Sequence, residues 1–328
     1  MNRITYKWVF MVLFFTFFVI PQHLYAQDYE MIDLGSFCFA TSINSQGNVA
    51  GYCWSWEEYN YYPFLWTEKD GMRNLGTLVG GSWGVAYGIN NRGGIVGYGE
   101  TASGKYHAFV WTENEGMRDL GDLGGGESQA WGINDRGQII GWSLLPEYPE
   151  KHRAFLWTKK DGMRDLGTLG GLRSIPYAIN NRGEIVGISE NASDESHAFI
   201  WTEKDGMADL GLGGNSFAND INDAGQVVGR RTDELAHPKG YLWTKKDGVI
   251  DLGMFDPQVI NNRGETAGNT IGLNPGDDAI LRTKKGVLID LGALGGHISF
   301  PWDINEHRQI VGNSIDEIGR SHAILWTK

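Results

Sequence analysis

The chain has 328 residues, of which 47 are Gly, 13 Trp and 2 Cys, and its formal charge is −12. At 41% hydrophobic and 21% charged it is compositionally globular, which excludes a disordered chain and a membrane-embedded one. Gly is too scarce for collagen and too abundant for a helical bundle. The excess of acid argues against nucleic acid or an anionic membrane as partner, since either would need clustered Lys and Arg.

In chain order, residues 1–26 read as an export signal. Arg3 and Lys7 make a positive start, Trp8 to Ile20 is an apolar run, and the segment from Pro21 ends on the small residue Ala26. That is the layout of a secretory signal peptide cleaved between Ala26 and Gln27. The apolar run is well short of the roughly 20 residues needed to span a bilayer. The expectation is a secreted or periplasmic product with no membrane insertion after cleavage, residues 27–328 forming a single domain.

From there the chain repeats. Ile-Asn recurs at Asn44, Asn90, Asn134, Asn180, Asn222, Asn261 and Asn305, at spacings of 46, 44, 46, 42, 39 and 44. Each pair is followed by a Gly turn and an apolar block such as Ile95-Val96-Gly97. A Trp-Thr pair closes a second apolar run at Trp66, Trp111, Trp157, Trp201, Trp243 and Trp326, with Arg282-Thr283 in the remaining unit. Asp-Leu-Gly or a variant then starts at Asp33, Asn74, Asp119, Asp165, Asp209, Asp251 and Asp290. Each unit therefore reads as four short strands: a ending at Ile-Asn, b the Ile-Val-Gly block, c the Trp-Thr run, and d the Asp-Leu-Gly segment. Strands b and c are apolar at consecutive positions, so both faces are buried. The a–b turns suit a type I turn followed by a left-handed Gly. Small sheets buried on both faces and repeated seven times predict an all-β, seven-bladed β-propeller. The chain begins with an orphan strand d at Met31–Gly35 and stops after an orphan strand c at His322–Trp326. Pairing the two completes the last blade and leaves no open edge.

The tripeptides His107-Ala108-Phe109 and His197-Ala198-Phe199 resemble those of the bacterial extracellular HAF repeat family. Variants stand at Tyr62, Arg153, Lys239, Asp278 and His322, and the resemblance spans residues 31–328. It implies an exported propeller-like protein and transfers no catalytic residue.

Several motifs invite chemistry. Asp220-Ile221-Asn222-Asp223 opens like a calcium loop, but the fifth position is Ala224 here and Arg in equivalent turns, so no metal site is expected. His107–Asp119 and His197–Asp209, twelve residues apart, read as structural pairs, because Arg153 and Lys239 replace the His elsewhere. Gly-rich d–a connectors such as Leu166–Gly171 lack the Lys-Ser/Thr of a phosphate loop. Cys38 and Cys53 lie on strands a and b of the first blade. They sit opposite one another if the Asn44–Gly47 turn is a plain four-residue loop, and on opposite faces if a bulge shifts the register by one. Two Cys in an exported chain favour a disulfide.

The a–b and c–d turns share one face of the ring and are stereotyped, whereas the d–a and b–c loops on the other face vary, so the variable face is the expected working surface. Acids including Glu57, Glu58, Glu147, Glu195 and Asp316 collect there. So do aromatics outside the repeat: Trp54, Trp56, Trp83 and Trp142. Three residues before each repeated Asn stand Thr41, Tyr87, Trp131, Tyr177, Asn219, Gln258 and Trp302, a set that breaks the sevenfold symmetry. Aromatic faces beside carboxylates suit sugar rings. The expected ligand-binding residues are Trp54, Trp56, Trp83, Tyr87, Trp131, Trp142, Tyr177 and Trp302. The expected role is non-catalytic binding of a glycan or protein by a monomer that needs no cofactor. A carbohydrate-active hydrolase or lyase on the same face, or a purely structural surface protein, are the alternatives.

Overall fold

The computed structural model describes residues 24–25, 29–233, 235, 237–271, 279–295 and 298–328. The apolar run of the expected signal, its cleavage point and Asp278 lie outside them. Every regular element described is a strand, and the strands form seven sheets. Blade 1 is Cys38–Ile43, Val49–Ser55, Asn60–Thr67 and Gly71–Asn74, paired antiparallel in that order from the central channel outwards. The innermost strands of blades 2 to 7 are Gly84–Ile89, Ser128–Ile133, Gly170–Ile179, Ser216–Ile221, Phe255–Ile260 and Ile298–Ile304. Glu30–Ser36 pairs antiparallel with Ser321–Thr327 as the outer strand of blade 7, closing the ring as the sequence predicts. One strand was not foreseen: Leu24–Tyr25 lies parallel to Leu288–Asp290 at the edge of blade 6.

The repeated Asn is what ties blade to blade. Each is 3–6% exposed. Its Oδ1 accepts the backbone N–H groups two and four residues ahead at 2.8–3.1 Å, which shapes the a–b turn. Its Nδ2 donates to the backbone carbonyl of the Asn in the next blade, at 2.9–3.3 Å, from Asn44 to Asn90 and round to Asn305, which returns to Asn44. The residue after each Asn adds a second partial ring. Backbone N–H groups from Ser45 to Asn262 donate to the Asn, Asp or Glu side chain of the following blade at 2.7–2.8 Å. A buried amide so fully used cannot be replaced without stranding several partners.

The other motifs resolve in the same way. Arg73, Arg118 and Arg164 on outer strands lie 5.1, 5.3 and 5.4 Å above Trp111, Trp157 and Trp201 of the next blade. The Asp or Asn of Asp-Leu-Gly accepts the Gly N–H at 2.7–2.9 Å where strand d ends. His107 reaches Asp119 at 2.9 Å and His322 reaches Asp33 at 2.9 Å, with Arg153–Asp165 at 3.1 Å in the equivalent place. These pairs join strand c to strand d within a blade, and Arg fills the role as well as His.

Every innermost strand carries a β-bulge at the third residue before the Asn: Thr41, Tyr87, Trp131, Tyr177, Asn219, Gln258 and Trp302; the blade 4 strand has a second irregularity between Gly170 and Ser174. A bulge bends its strand and re-aims a side chain. Here the bend carries the strand a backbone across the Gly of Ile-Val-Gly on strand b. A Cβ on Gly51, Gly97, Gly141, Gly187, Gly229, Gly268 or Gly312 would lie 1.8–2.1 Å from a strand a carbonyl oxygen. Part of the Gly surplus therefore serves the bulges rather than the turns.

The bulge also settles the cysteines. The a–b turn pairs Ile43 with Val49 and Ser42 with Ala50, one residue out of register for the cysteines. The bulge at Thr41 slips the register back, and Cys38 faces Cys53. The two form a disulfide, with Cα atoms 4.0 Å apart and a sequence separation of 15. The double variant Cys38→Ser/Cys53→Ser is expected to lose about 3 kcal/mol in chemical denaturation, as for a loop of this length. An unchanged midpoint would mean that blade 1 is held without the bridge.

One turn breaks the glycine rule. Gly47, Gly93, Gly137, Gly183, Gly225 and Gly264 have φ of +73° to +83°, but blade 7 places Arg308 there at +62°. The guanidinium of Arg308 grips Glu265 of blade 6, Nε lying 2.9 and 3.0 Å from its two carboxylate oxygens, and Glu265 is 3% exposed. Burial raises the Glu265 pKa, but the bonds from Arg308 and Asn261 outweigh it and hold the carboxyl below its usual range. Arg308→Gly would relieve the left-handed strain of about 1 kcal/mol yet strand a buried charge. A net loss of about 2 kcal/mol is expected. Adding Glu265→Gln, the residue at this position in three other blades, should recover it; a double-mutant cycle by urea denaturation measures both.

Candidate functional site

The seven bulged residues converge on the channel, and all line one cavity of about 660 Å³. Its wall is not uniform. Blades 2 to 4 supply Tyr87, Trp131 and Tyr177, the last two stacked at 5.7 Å with planes 6° apart and Tyr87 tilted against Trp131 at 6.3 Å. Blades 5 and 6 supply Phe217, Arg230, Asp256 and Gln258. Arg230 Nη1 lies 3.5 Å from Asp256 Oδ2, and its guanidinium sits 5.6 Å above Phe217. Asp256 Oδ1 is buried and accepts no protein hydrogen bond. Burial raises the Asp256 carboxyl pKa, against the pull of Arg230. Trp302 of blade 7 is 46% exposed, with Nε1 fixed to Asn313 Oδ1 at 3.1 Å. Thr41 and Asn219 turn their polar atoms to carbonyls of the next blade, at 3.0 Å to Ala86 and 2.9 Å to Pro257. One side of the mouth is thus aromatic, the other charged and hydrogen-bonding.

Below the chamber the channel narrows past Asp220 and Asp303, which border both it and the smaller cavity ringed by the repeated Asn residues. The two carboxylates lie deep in protein, touching open space only through the bore. Asp220 accepts the N–H of Ile221 at 2.8 Å and that of Ile260, in blade 6, at 2.7 Å. Asp303 accepts the Ser42 hydroxyl at 2.7 Å and the N–H of Ile43 at 2.9 Å, both in blade 1, and its own Ile304 at 2.7 Å. Burial pushes the Asp220 carboxyl up to about 7, with a further push from Asp303, whose own pKa is raised by burial.

A second group of rings covers the variable side of blades 1 and 2. Trp54 lies 6.1 Å from Trp56 and 5.0 Å from Tyr61, and Tyr61 lies 5.5 Å from Tyr52. Tyr52 in turn lies 6.1 Å from Tyr87 in the chamber wall. Trp83 meets Tyr98 at 5.5 Å, and Tyr98 stacks on Tyr87 at 5.9 Å. Of the eight aromatics expected to bind, the structure therefore brings seven together: Tyr87, Trp131, Tyr177 and Trp302 in the chamber, and Trp54, Trp56 and Trp83 beside it. Trp142 is a correction. It is 7% exposed, packs with Leu144 and Ile175 between blades 3 and 4, and lies 3.9 Å from the His152 ring. Its side chain fills an inter-blade gap and offers no face to a ligand.

Sequence reasoning did not single out Asp220, Asp303, Arg230 or Asp256 as site residues. A signal existed for the first two: two residues before the repeated Asn, the other blades carry Ser42, Gly88, Gly132, Ala178 and Val259. An acid among small and apolar residues at a repeat position is out of pattern. Nothing local marks Arg230 or Asp256, which meet only because blades 5 and 6 are neighbours.

The fold and the chamber define a closed seven-bladed propeller with an asymmetric, ligand-sized cavity at one mouth. No family model matches the chain, and no curated protein matches it. Solved structures do. The β-propeller domain of the trilobed protease from Pyrococcus furiosus is 11% identical, with a TM-score of 0.63 over 88% of this chain and 95% of that one. Pyrococcus horikoshii acylaminoacyl peptidase is 10% identical, with a TM-score of 0.57 over 88% of this chain. A puromycin hydrolase is 12% identical, with a TM-score of 0.54 over 86%. This chain spans about half the length of the last two. At such identities the likeness shows the fold alone.

Proposed function

We propose that this chain is an exported binding propeller of the HAF-repeat kind, and that the channel mouth takes a saccharide. The observation that carries the reading is the broken symmetry of the bulge ring. Seven equivalent positions aim into one cavity, yet contiguous blades present aromatic rings on one side while Arg230 and Asp256 stand on the other. A cavity near 660 Å³ is of ligand size. Aromatic surface set against directed polar groups suits a ring with apolar faces and hydroxyl edges. Trp302 is the open aromatic of the set, whereas Trp131 is packed between Tyr87 and Tyr177. The test is retention of the mature protein on a glycan array, with EDTA controls, beside Trp302→Ala. The variant is expected to lose at least about tenfold in affinity with an unchanged circular dichroism spectrum. Equal retention of the two proteins would refute the chamber as the binding site.

A second reading, a glycoside hydrolase or lyase, is favoured by Asp220. A carboxyl near 7 in a ligand-sized cavity, with Asp303 lining the same channel and raising it further, suits a general acid. Against it, both oxygens of Asp220 and both of Asp303 already accept hydrogen bonds, and one oxygen of each joins its blade to another. Release of new reducing ends from a retained oligosaccharide, abolished in Asp220→Asn, would establish the enzyme.

A further inference from the structure

The aromatic wall of the chamber does not stop at the channel mouth. Ring follows ring from Tyr177 and Trp131 through Tyr87 to Tyr52, Tyr61 and Trp54, ending at Trp56, with every step between 5.0 and 6.3 Å. The row crosses from the innermost strand of blade 4 to the b–c loop of blade 1, all on the variable face. Each step lies in the ordinary range for packed aromatic pairs, so the row is one continuous aromatic surface. At its outer end the rings are open: Trp56 is 60% exposed, Tyr59 71% and Tyr61 38%.

Packing between blades does not account for that outer end. Rings that only filled space would be covered, and these are not. Two of the aromatics there, Phe37 at φ +58° and Tyr59 at φ +53°, sit in the left-handed backbone region, which bulky side chains seldom occupy. Phe37 is pinned by its N–H to the Ser321 carbonyl at 2.7 Å and by its own carbonyl, which accepts the Trp54 N–H at 2.9 Å. Its ring meets Trp56 edge-on at 5.3 Å. Strain of this kind persists where the surroundings over-determine a conformation, and it concentrates at ligand clamps.

The composition of the row selects the occupant. Its rings are Trp and Tyr, which combine an apolar face with a polar edge, and Phe37 and Phe39 pack against two of them. Glu57 and Glu58 are exposed next to Trp56, so an anionic chain would be repelled. We propose that the chamber is the inner end of a row of sugar subsites, and that its occupant is a linear, uncharged oligosaccharide lying from the channel mouth out over blades 1 and 2. This inference rests on the saccharide reading of the chamber and adds to it the length, charge and direction of the ligand.

The test uses the mature chain and neutral linear glucan, mannan, xylan and chitin oligomers of one to six units, with affinity read by titration calorimetry. Affinity should climb with chain length. Trp56→Ala, at a position too exposed to matter for folding, and the pair Trp54→Ala/Trp56→Ala should weaken the longest ligand by about tenfold and leave the shortest unaffected. Trp302→Ala should weaken short and long alike. If a sugar binds through Trp302 with no dependence on length or on Trp56, the row is overturned and the chamber reading stands. If no neutral oligomer of any length binds, both fall. If an anionic glycan or a peptide binds at the row instead, the proposed occupant is wrong.

Discussion

Gly141→Ala is expected to abolish folding of the ring, or to cost more than about 4 kcal/mol where any fold survives. Gly141 lies on strand b of blade 3, opposite the bulge that carries Trp131. A Cβ there would be 1.8 Å from the Gln129 carbonyl oxygen and 2.8 Å from the Ala130 Cα. Both obstacles are backbone, so no side-chain rotation makes room. Moving that backbone would pull Trp131 out of the chamber wall and disturb the Asn134 hydrogen bond to blade 4. Gly137, four residues earlier, supplies the control. It has φ +73° and nothing within 4 Å of its added Cβ, so Gly137→Ala should cost only the left-handed penalty of about 1 kcal/mol. Thermal and urea denaturation of the two variants separate a steric requirement from a conformational one. Similar small losses in both would show that the bulge can yield.

The second large effect is on the dependence of stability on pH. Burial is the main cause that lifts the Asp220 carboxyl to about 7, from a value near 4 in the unfolded chain, and Asp303 is raised as well. An acid with a raised folded pKa binds its proton more tightly in the native state. Its contribution to stability is therefore complete below about pH 4 and is lost as pH rises through about 7. For Asp220 alone the swing is on the order of 4 kcal/mol. The melting temperature should fall between pH 5 and pH 8 through this contribution. Asp220→Ser, which places there the residue that blade 1 carries at Ser42, should flatten that fall. A wild-type profile that rises over the same interval, unchanged in the variant, would contradict the assignment.

Much of this architecture was legible before any coordinates, and the reason is repetition. Seven copies of Ile-Asn, of the Gly-ended strand b block and of Asp-Leu-Gly or its variant set the number of blades, the order of strands within a blade and the pairing of Glu30–Ser36 with the last strand. A period that recurs inside one chain reports a unit too small to bury its own faces, whatever its loops do. What the repeated Asn accomplishes was less legible, because its donor reaches the next blade and no local pattern records that bond. The ring of seven such bonds explains why the same residue stands in all seven units.

The site divides along the same line. The seven residues before the repeated Asn stood out by breaking the pattern, and the structure places them together. Trp142 stood out equally by type and is buried, since a residue at the end of a strand b can point either between blades or towards the channel. Sequence leaves that choice open. Asp220 is marked in sequence only by its place at a repeat position that is small or apolar in most blades, and its burial, which gives it a raised pKa, is a tertiary property.

The Gly count and the pair of cysteines show where the boundary falls. Sequence alone determined that the chain turns often, repeats seven times and closes on itself, because turn chemistry and strand periodicity are local properties that neighbouring residues impose. Only the tertiary structure decided that a bulge in every inner strand demands a Gly beside it, that the bulge in blade 1 restores the register of Cys38 and Cys53, and that rings from four blades form one row. Each of those outcomes depends on where two distant backbones come to rest against each other, and that is settled when the blades pack into a ring.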